Sequence, residues 1–159
     1  KAANTPNPLL NIAGIPVEVY FSPDDGVADE IVAEIQQAQQ SVDFLAYSFT
    51  SNDIANAMIA RAKAGVTVRG VFDYSQYESN EGGEYDYLKE RGFPVRLDGI
   101  PGLMHNKVII IDGQTVITGS YNFSRNAEEN NDENLVIVHD AQLAAQYLQH
   151  FEQVYSNAQ

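Results

Sequence analysis

The chain has 159 residues, no cysteine, and a formal net charge of −13 from nine Lys and Arg against 22 Asp and Glu. Thiolate metal sites, thiol nucleophiles and disulfides are therefore excluded, and the charge argues against a general polyanion binder unless a local basic patch overcomes the long-range repulsion. A chain of this length, 44% hydrophobic, buries roughly 70% of its unfolded surface and needs no metal or disulfide staple to fold.

Residues 1–15, KAANTPNPLLNIAGI, mix Pro, Asn and Gly and read as an irregular arm, with a single domain expected over 16–159. VEVYFSP (17–23) alternates and ends at a proline, which predicts a strand. Val27, Ile31, Ile35 and Ala38 then recur at helical spacing, with Asp24 or Asp25 placed to cap the helix. SVDFLAYSFT (41–50) predicts a second strand, apolar enough to be covered on both faces. The following segment puts Ile54, Met58, Ile59 and Ala62 on one helical face and stops at Gly65. VTVRGVFD (66–73) predicts a third strand. Strand–helix–strand–helix–strand order predicts an α/β fold, with a mixed, largely parallel central sheet flanked by helices.

From Tyr74 to Gly92 the pattern weakens to a glycine pair at 82–83 and a short helical run, Tyr85 to Glu90. FPVRLDG (93–99) predicts another short strand, and IPGLM (100–104) a connecting loop. Two apolar runs around Asp112-Gly113, HNKVIIID and TVITGS, predict a β-hairpin. A polar loop, the strand NLVIV (134–138) and a helix from about Asp140 to Tyr155 complete the chain. Leu143, Tyr147, Phe151 and Tyr155 make an ordinary core stripe on that helix. No apolar stretch approaches the length of a membrane span or a signal core. The first residue is Lys1 rather than Met, so the N-terminus is either processed or cut; processing would imply a periplasmic or secreted location.

The hairpin concentrates the chemistry. Alternate residues of a strand share a face, so His105 and Lys107 lie with Ile109 and Ile111, while Asp112 falls on the other face and reads as a turn-stabilising carboxylate. The second strand ends in TGSYN, where Ser120 and Asn122 share a face and Gly119 permits close approach. An imidazole, an ammonium, a hydroxyl and an amide together suit a phosphodiester, whose charge grows in the transition state. The histidine can attack phosphorus or carry a proton. Ser120 could equally satisfy a backbone group in the turn. His105 has no His or Asp at ligand spacing, so no metal is assigned, and His139 and His150 read as structural or solvated.

HNKVIIID followed by GSYN resembles the HxKxxxxD…GSxN motif of the phospholipase D superfamily, with His105, Lys107, Asp112, Gly119, Ser120 and Asn122 at its fixed positions. From VEVYFSP through AYSFTS to DENLVIV the chain is similar to that superfamily's small, single-motif bacterial endonucleases. The resemblance implies a phospholipase D-like fold and a phosphodiesterase that uses neither metal nor cofactor. Because only one motif is present, it also implies a homodimer that gathers two His105 and two Lys107 side chains at one phosphate. One His105 would become a phosphohistidine and the other would protonate the leaving oxygen. Lys107, Ser120 and Asn122 would hold the non-bridging oxygens. By the same resemblance Glu133 would hydrogen-bond and orient the histidine, and Asp112 would be structural or support the histidine. The implied substrate is nucleic acid, DNA first and RNA second, without stable membrane association. A lipid-headgroup phosphodiesterase and a non-catalytic phosphate-binding module are the alternatives.

Overall fold

The computed structural model describes residues 4–79 and 83–159; Gly82, the first of the glycine pair, lies outside them. The strands are β1 (Leu9–Ile12), β2 (Ile15–Ser22), β3 (Ser41–Ala46), β4 (Thr67–Phe72), β5 (Val95–Leu97), β6 (Lys107–Ile111), β7 (Thr115–Gly119) and β8 (Glu133–His139). The helices are α1 (Val27–Gln37), α2 (Asn52–Lys63), α3 (Tyr74–Ser79), α4 (Glu84–Lys89), α5 (Arg125–Glu129) and α6 (Ala141–Asn157).

All eight strands form one sheet in the order β1-β2-β8-β7-β6-β3-β4-β5. The α/β class and the mixed sheet are as expected, but "largely parallel" needs correcting. Only β3–β4 and β4–β5 pair in parallel; the other pairings are antiparallel. The physical reason is a long crossover. β2, α1 and β3 do form a strand–helix–strand unit, but β8, β7 and β6 sit between the two strands. The β6–β7 hairpin and β8 thus fill the middle of the sheet, where antiparallel pairing follows from short connections.

The N-terminal arm is also more ordered than its composition predicts. Leu9–Ile12 pair antiparallel with β2 across a tight turn in which Ala13 and Gly14 both have positive φ (52° and 89°), the turn type that suits strand twist. The arm is pinned further by Asp25, whose carboxylate accepts the Asn4 N–H at 2.6 Å and the Phe21 N–H at 2.8 Å. Asp25 therefore does not cap α1, which begins after a left-handed Gly26 with no side-chain cap. Ser51 and Asp140 do cap α2 and α6.

The sheet buries both faces, as its apolar central strands require. Ile109 and Ile111 of β6 join Val27, Ile31 and Ile35 of α1 and Ile54 and Met58 of α2 in one core. Val108 and Ile110 point the other way, into a smaller core closed by Ala144 and Phe151 of α6. Gly70 is required by packing: a Cβ there would lie 2.1 Å from the Phe44 ring. Among the described residues no helix is long and apolar enough to cross a membrane.

Candidate active site

The alternation of β6 has a direct consequence at its first residue. Ile109 and Ile111 anchor one face in the core, so Lys107 emerges on that same face at the sheet end, where β6 begins, β7 stops and β8 begins. Lys107 is buried at 7% exposure, whereas His105, two residues earlier, is exposed. The Lys107 ammonium donates to the His105 carbonyl at 2.8 Å and lies 3.1 Å from Nδ1 and 3.3 Å from Nε2 of the ring. Burial lowers the Lys107 pKa below the ordinary lysine value, and the nearby negative charge of Glu133 partly offsets this.

Tertiary contacts fix the histidine from three sides. The Tyr47 ring packs on the imidazole with centroids 4.4 Å apart, and its face also lies 5.0 Å from the Lys107 ammonium. Asp73, 1% exposed at the end of β4, accepts the Met104 N–H at 2.8 Å and so ties down the loop leading to His105. On the other side the Asn106 carbonyl accepts the Tyr47 N–H at 2.9 Å. Tyr47 and Asp73 were missed in the sequence because one acts through a ring face and the other through a backbone contact. Their strand-end positions in AYSFT and VFD are the only signal.

The GSYN segment forms the opposite wall. Gly119 has φ 153°, and a Cβ on it would meet the Asn134 carbonyl oxygen at 2.2 Å, so only glycine lets β7 run this close to β8. The Ser120 hydroxyl donates to Glu133 Oε2 at 2.5 Å and accepts the Asn134 N–H at 3.0 Å. The second Glu133 oxygen accepts from the Asn131 amide at 3.0 Å. Among the described residues Glu133 makes no hydrogen bond to the His105 of its own chain. Within this chain the two Glu133 oxygens accept from Ser120 and Asn131. Asn134, also unforeseen, grips Ser120 with both its backbone and its amide. Asn122 lies between buried Tyr121 and Phe123, and its buried side-chain oxygen has no partner among the described groups.

Asp112 is at the far end of the five-residue strand from Lys107, roughly 16 Å away at about 3.3 Å per residue. It cannot support His105. Its carboxylate accepts the N–H groups of Gln39, Gln40 and Ser41 at 2.7–3.1 Å, and with φ 55° it turns the hairpin beside Gly113 at 61°. Burial alone would raise the Asp112 pKa, but these N–H groups hold it below the usual carboxylate range. Asp112 thus ties the hairpin turn to the segment before β3, at the end of β6 remote from Lys107. Neither remaining histidine is isolated. His139 pairs with Glu18 at 2.6 Å, and His150 Nε2 lies 3.4 Å from the Asn106 amide.

The described site therefore combines an exposed imidazole, a buried ammonium, a hydroxyl, an amide whose oxygen lacks a donor, and a carboxylate at one sheet end. Residues 31–155 match the family described as cardiolipin synthase, PLD-like domain. A phospholipase D from Rickettsia prowazekii is 38% identical over 135 residues, covering 85% of this chain; the chain spans 65% of that relative's length. The crystal structure of Nuc from Salmonella typhimurium, described as a phospholipase D family member, is similar with a TM-score of 0.85 and 34% identity, covering 90% of this chain and 95% of that one. NucT from Helicobacter pylori is similar with a TM-score of 0.83 and 29% identity over 91% of this chain and 98% of that one.

Proposed function

The chain belongs to the phospholipase D superfamily, and from that premise we propose that it is a phosphodiesterase whose substrate is DNA. The observation that carries this reading is the pairing of the exposed His105 ring with the buried Lys107 ammonium at 3.1 Å. One group is free to attack, and the other already sits where the phosphate oxygens of an attacked diester would gather charge.

The reaction needs two histidines. Nucleophilic attack by His105 on phosphorus breaks the P–O bond and forms a phosphohistidine, while an acid must deliver a proton to the departing oxygen. Among the described residues the face that carries Lys107 presents one imidazole at this end, since His139 lies at the other end of β8 and His150 meets Asn106 on the opposite face, where α6 packs. The acid is therefore the His105 of a second copy, which then takes a proton from water as that water attacks the phosphohistidine. Phosphate monoester leaves and both imidazoles return to their starting state. Lys107, Ser120 and the Asn122 amide N–H groups donate to the non-bridging oxygens. No step draws on a metal ion.

Hydrolysis of bis-p-nitrophenyl phosphate in excess EDTA tests the chemistry. His105→Asn should lower the rate by about 10³-fold or more and leave the unfolding temperature unchanged, because the ring is exposed. Activity should follow the dimer when monomer and dimer fractions are separated; a fully active monomer overturns the shared site. A lipid diester is the second reading, favoured by Ile100 and Leu103, each more than half exposed in the loop that leads to His105. Plasmid nicking set against choline release from phosphatidylcholine vesicles decides between them.

A further inference from the structure

At the end of β8 remote from Glu133, a second set of ionisable groups comes together beneath α1. His139 Nε2 lies 2.6 Å from Glu18 Oε2, and Glu34 of α1 closes the group, so that one donor atom from each residue lies within 4.8 Å of the others. Strand register explains the convergence. Glu18 is opposite Ile137 in the β2–β8 pair, and Ile137 and His139 lie on the face that α1 covers.

The contact between His139 and Glu18 accounts for only one of these carboxylates. Burial raises the Glu34 pKa above the usual carboxylate range; His139 favours its charged form, but Glu18 and Glu30 oppose it. Among the described residues no Lys or Arg forms an ion pair with Glu18 or Glu34. Among the described residues, two carboxylates and one imidazole converge in this half-buried corner with no Lys or Arg paired to them.

We propose that His139, Glu18 and Glu34 form a divalent-metal site that takes zinc and braces α1 against the β2–β8 pair. The imidazole separates this group from an acidic surface patch, because a nitrogen ligand beside two carboxylates matches a borderline ion and leaves the assembly neutral. Donors about 2.0–2.2 Å from one zinc ion sit roughly 3–4 Å apart, so a spread within 4.8 Å closes with side-chain adjustments of about 1 Å. Each of the two strand ligands is already oriented by a hydroxyl. Thr115 Oγ1 lies 3.0 Å from His139 Nδ1; accepting an Nδ1–H there leaves the Nε2 lone pair for the ion. The Tyr20 hydroxyl donates to Glu18 Oε1 at 2.8 Å, which leaves Oε2 aimed at His139. Metal binding is coupled to release of any proton the ligands hold, and that proton goes to solvent. The site is about 20 Å of strand away from Glu133, so it is structural and independent of the His105 chemistry.

The test uses chelator-treated protein dialysed free of chelator. Zn²⁺ should bind at one equivalent per chain and raise the unfolding temperature in a concentration-dependent way, and Co²⁺ should give visible d–d absorption bands of a low-symmetry site. Glu34→Gln keeps the Glu18–His139 pair, so its metal-free unfolding temperature should match the metal-free wild type while its zinc affinity falls about 100-fold. His139→Ala should abolish the cobalt bands. Hydrolysis of bis-p-nitrophenyl phosphate by Glu34→Gln should equal wild type. The proposal is overturned by an absence of saturable Zn²⁺ binding, or by binding of equal affinity in wild type and Glu34→Gln.

Discussion

The two ends of the β6–β7 hairpin carry charged groups that the fold treats in opposite ways. At the turn, the Asp112 carboxylate accepts N–H groups from Gln39, Gln40 and Ser41, so its hydrogen-bonding capacity is consumed inside the chain. At the open end, the Lys107 ammonium is more deeply buried, yet its hydrogen-bond partners among the described residues are the carbonyl and ring of a neighbouring exposed histidine. A charge whose partners are all backbone groups holds the fold together. A buried charge beside an exposed imidazole is held in reserve for a ligand, and its desolvation is a standing cost to stability.

That contrast is broken most directly at Lys107. Met has similar length and no charge, so Lys107→Met removes the ammonium while filling its space. Hydrolysis of bis-p-nitrophenyl phosphate should fall by about 10²–10³-fold, the usual loss for one group that stabilises transition-state charge. Stability in urea should hold or rise, since a desolvated cation has gone. Destabilisation by more than about 1 kcal/mol, with activity kept, would move Lys107 to the structural class with Asp112.

Asp112 should behave in the reverse sense. Asp112→Asn keeps a residue that tolerates the positive φ of the turn but weakens the charge-assisted bonds to Gln39, Gln40 and Ser41. A loss of about 1–2 kcal/mol in urea stability is expected after allowing for partial exposure, with activity unchanged. The pH dependence has a definite sign. The folded pKa of Asp112 is depressed, so its contribution is present above the unfolded value near 4 and is lost as pH falls through the folded value. Wild type and variant should therefore differ at pH 6 and converge in acid. A difference that grows on acidification would contradict the assignment.

The same contrast governs what could be read in the sequence. The hairpin was legible because period-two alternation with Asp112-Gly113 is a local signal, and that alternation also put His105 and Lys107 on one face. Sheet order was not legible: nothing local in VEVYFSP shows that β8, β7 and β6 separate it from β3. β1 was missed because all four of its residues are exposed, leaving no buried alternation. In the site, the motif positions could be named, but their partners could not. Tyr47, Asp73 and Asn134 come from three different strand ends and act on His105, its loop and Ser120 only after folding. Glu133 was picked out by resemblance, and within the chain it proves to be bonded to Ser120.

The smallest expected effect lies at Tyr47, and it sharpens what holding the histidine means. The Tyr47 hydroxyl accepts from the Gln76 amide at 3.1 Å, whereas its ring face meets His105 and Lys107. If the ring positions the imidazole, Tyr47→Phe should retain hydrolysis within about threefold, since only one partly buried hydrogen bond is lost. Tyr47→Leu removes the flat face and the attraction between ring and ammonium. It should lower kcat about tenfold with little change in KM, the pattern of a nucleophile presented at the wrong angle. Equal losses in the two variants would place the effect in the Gln76 bond and leave Lys107 alone as the group that holds His105.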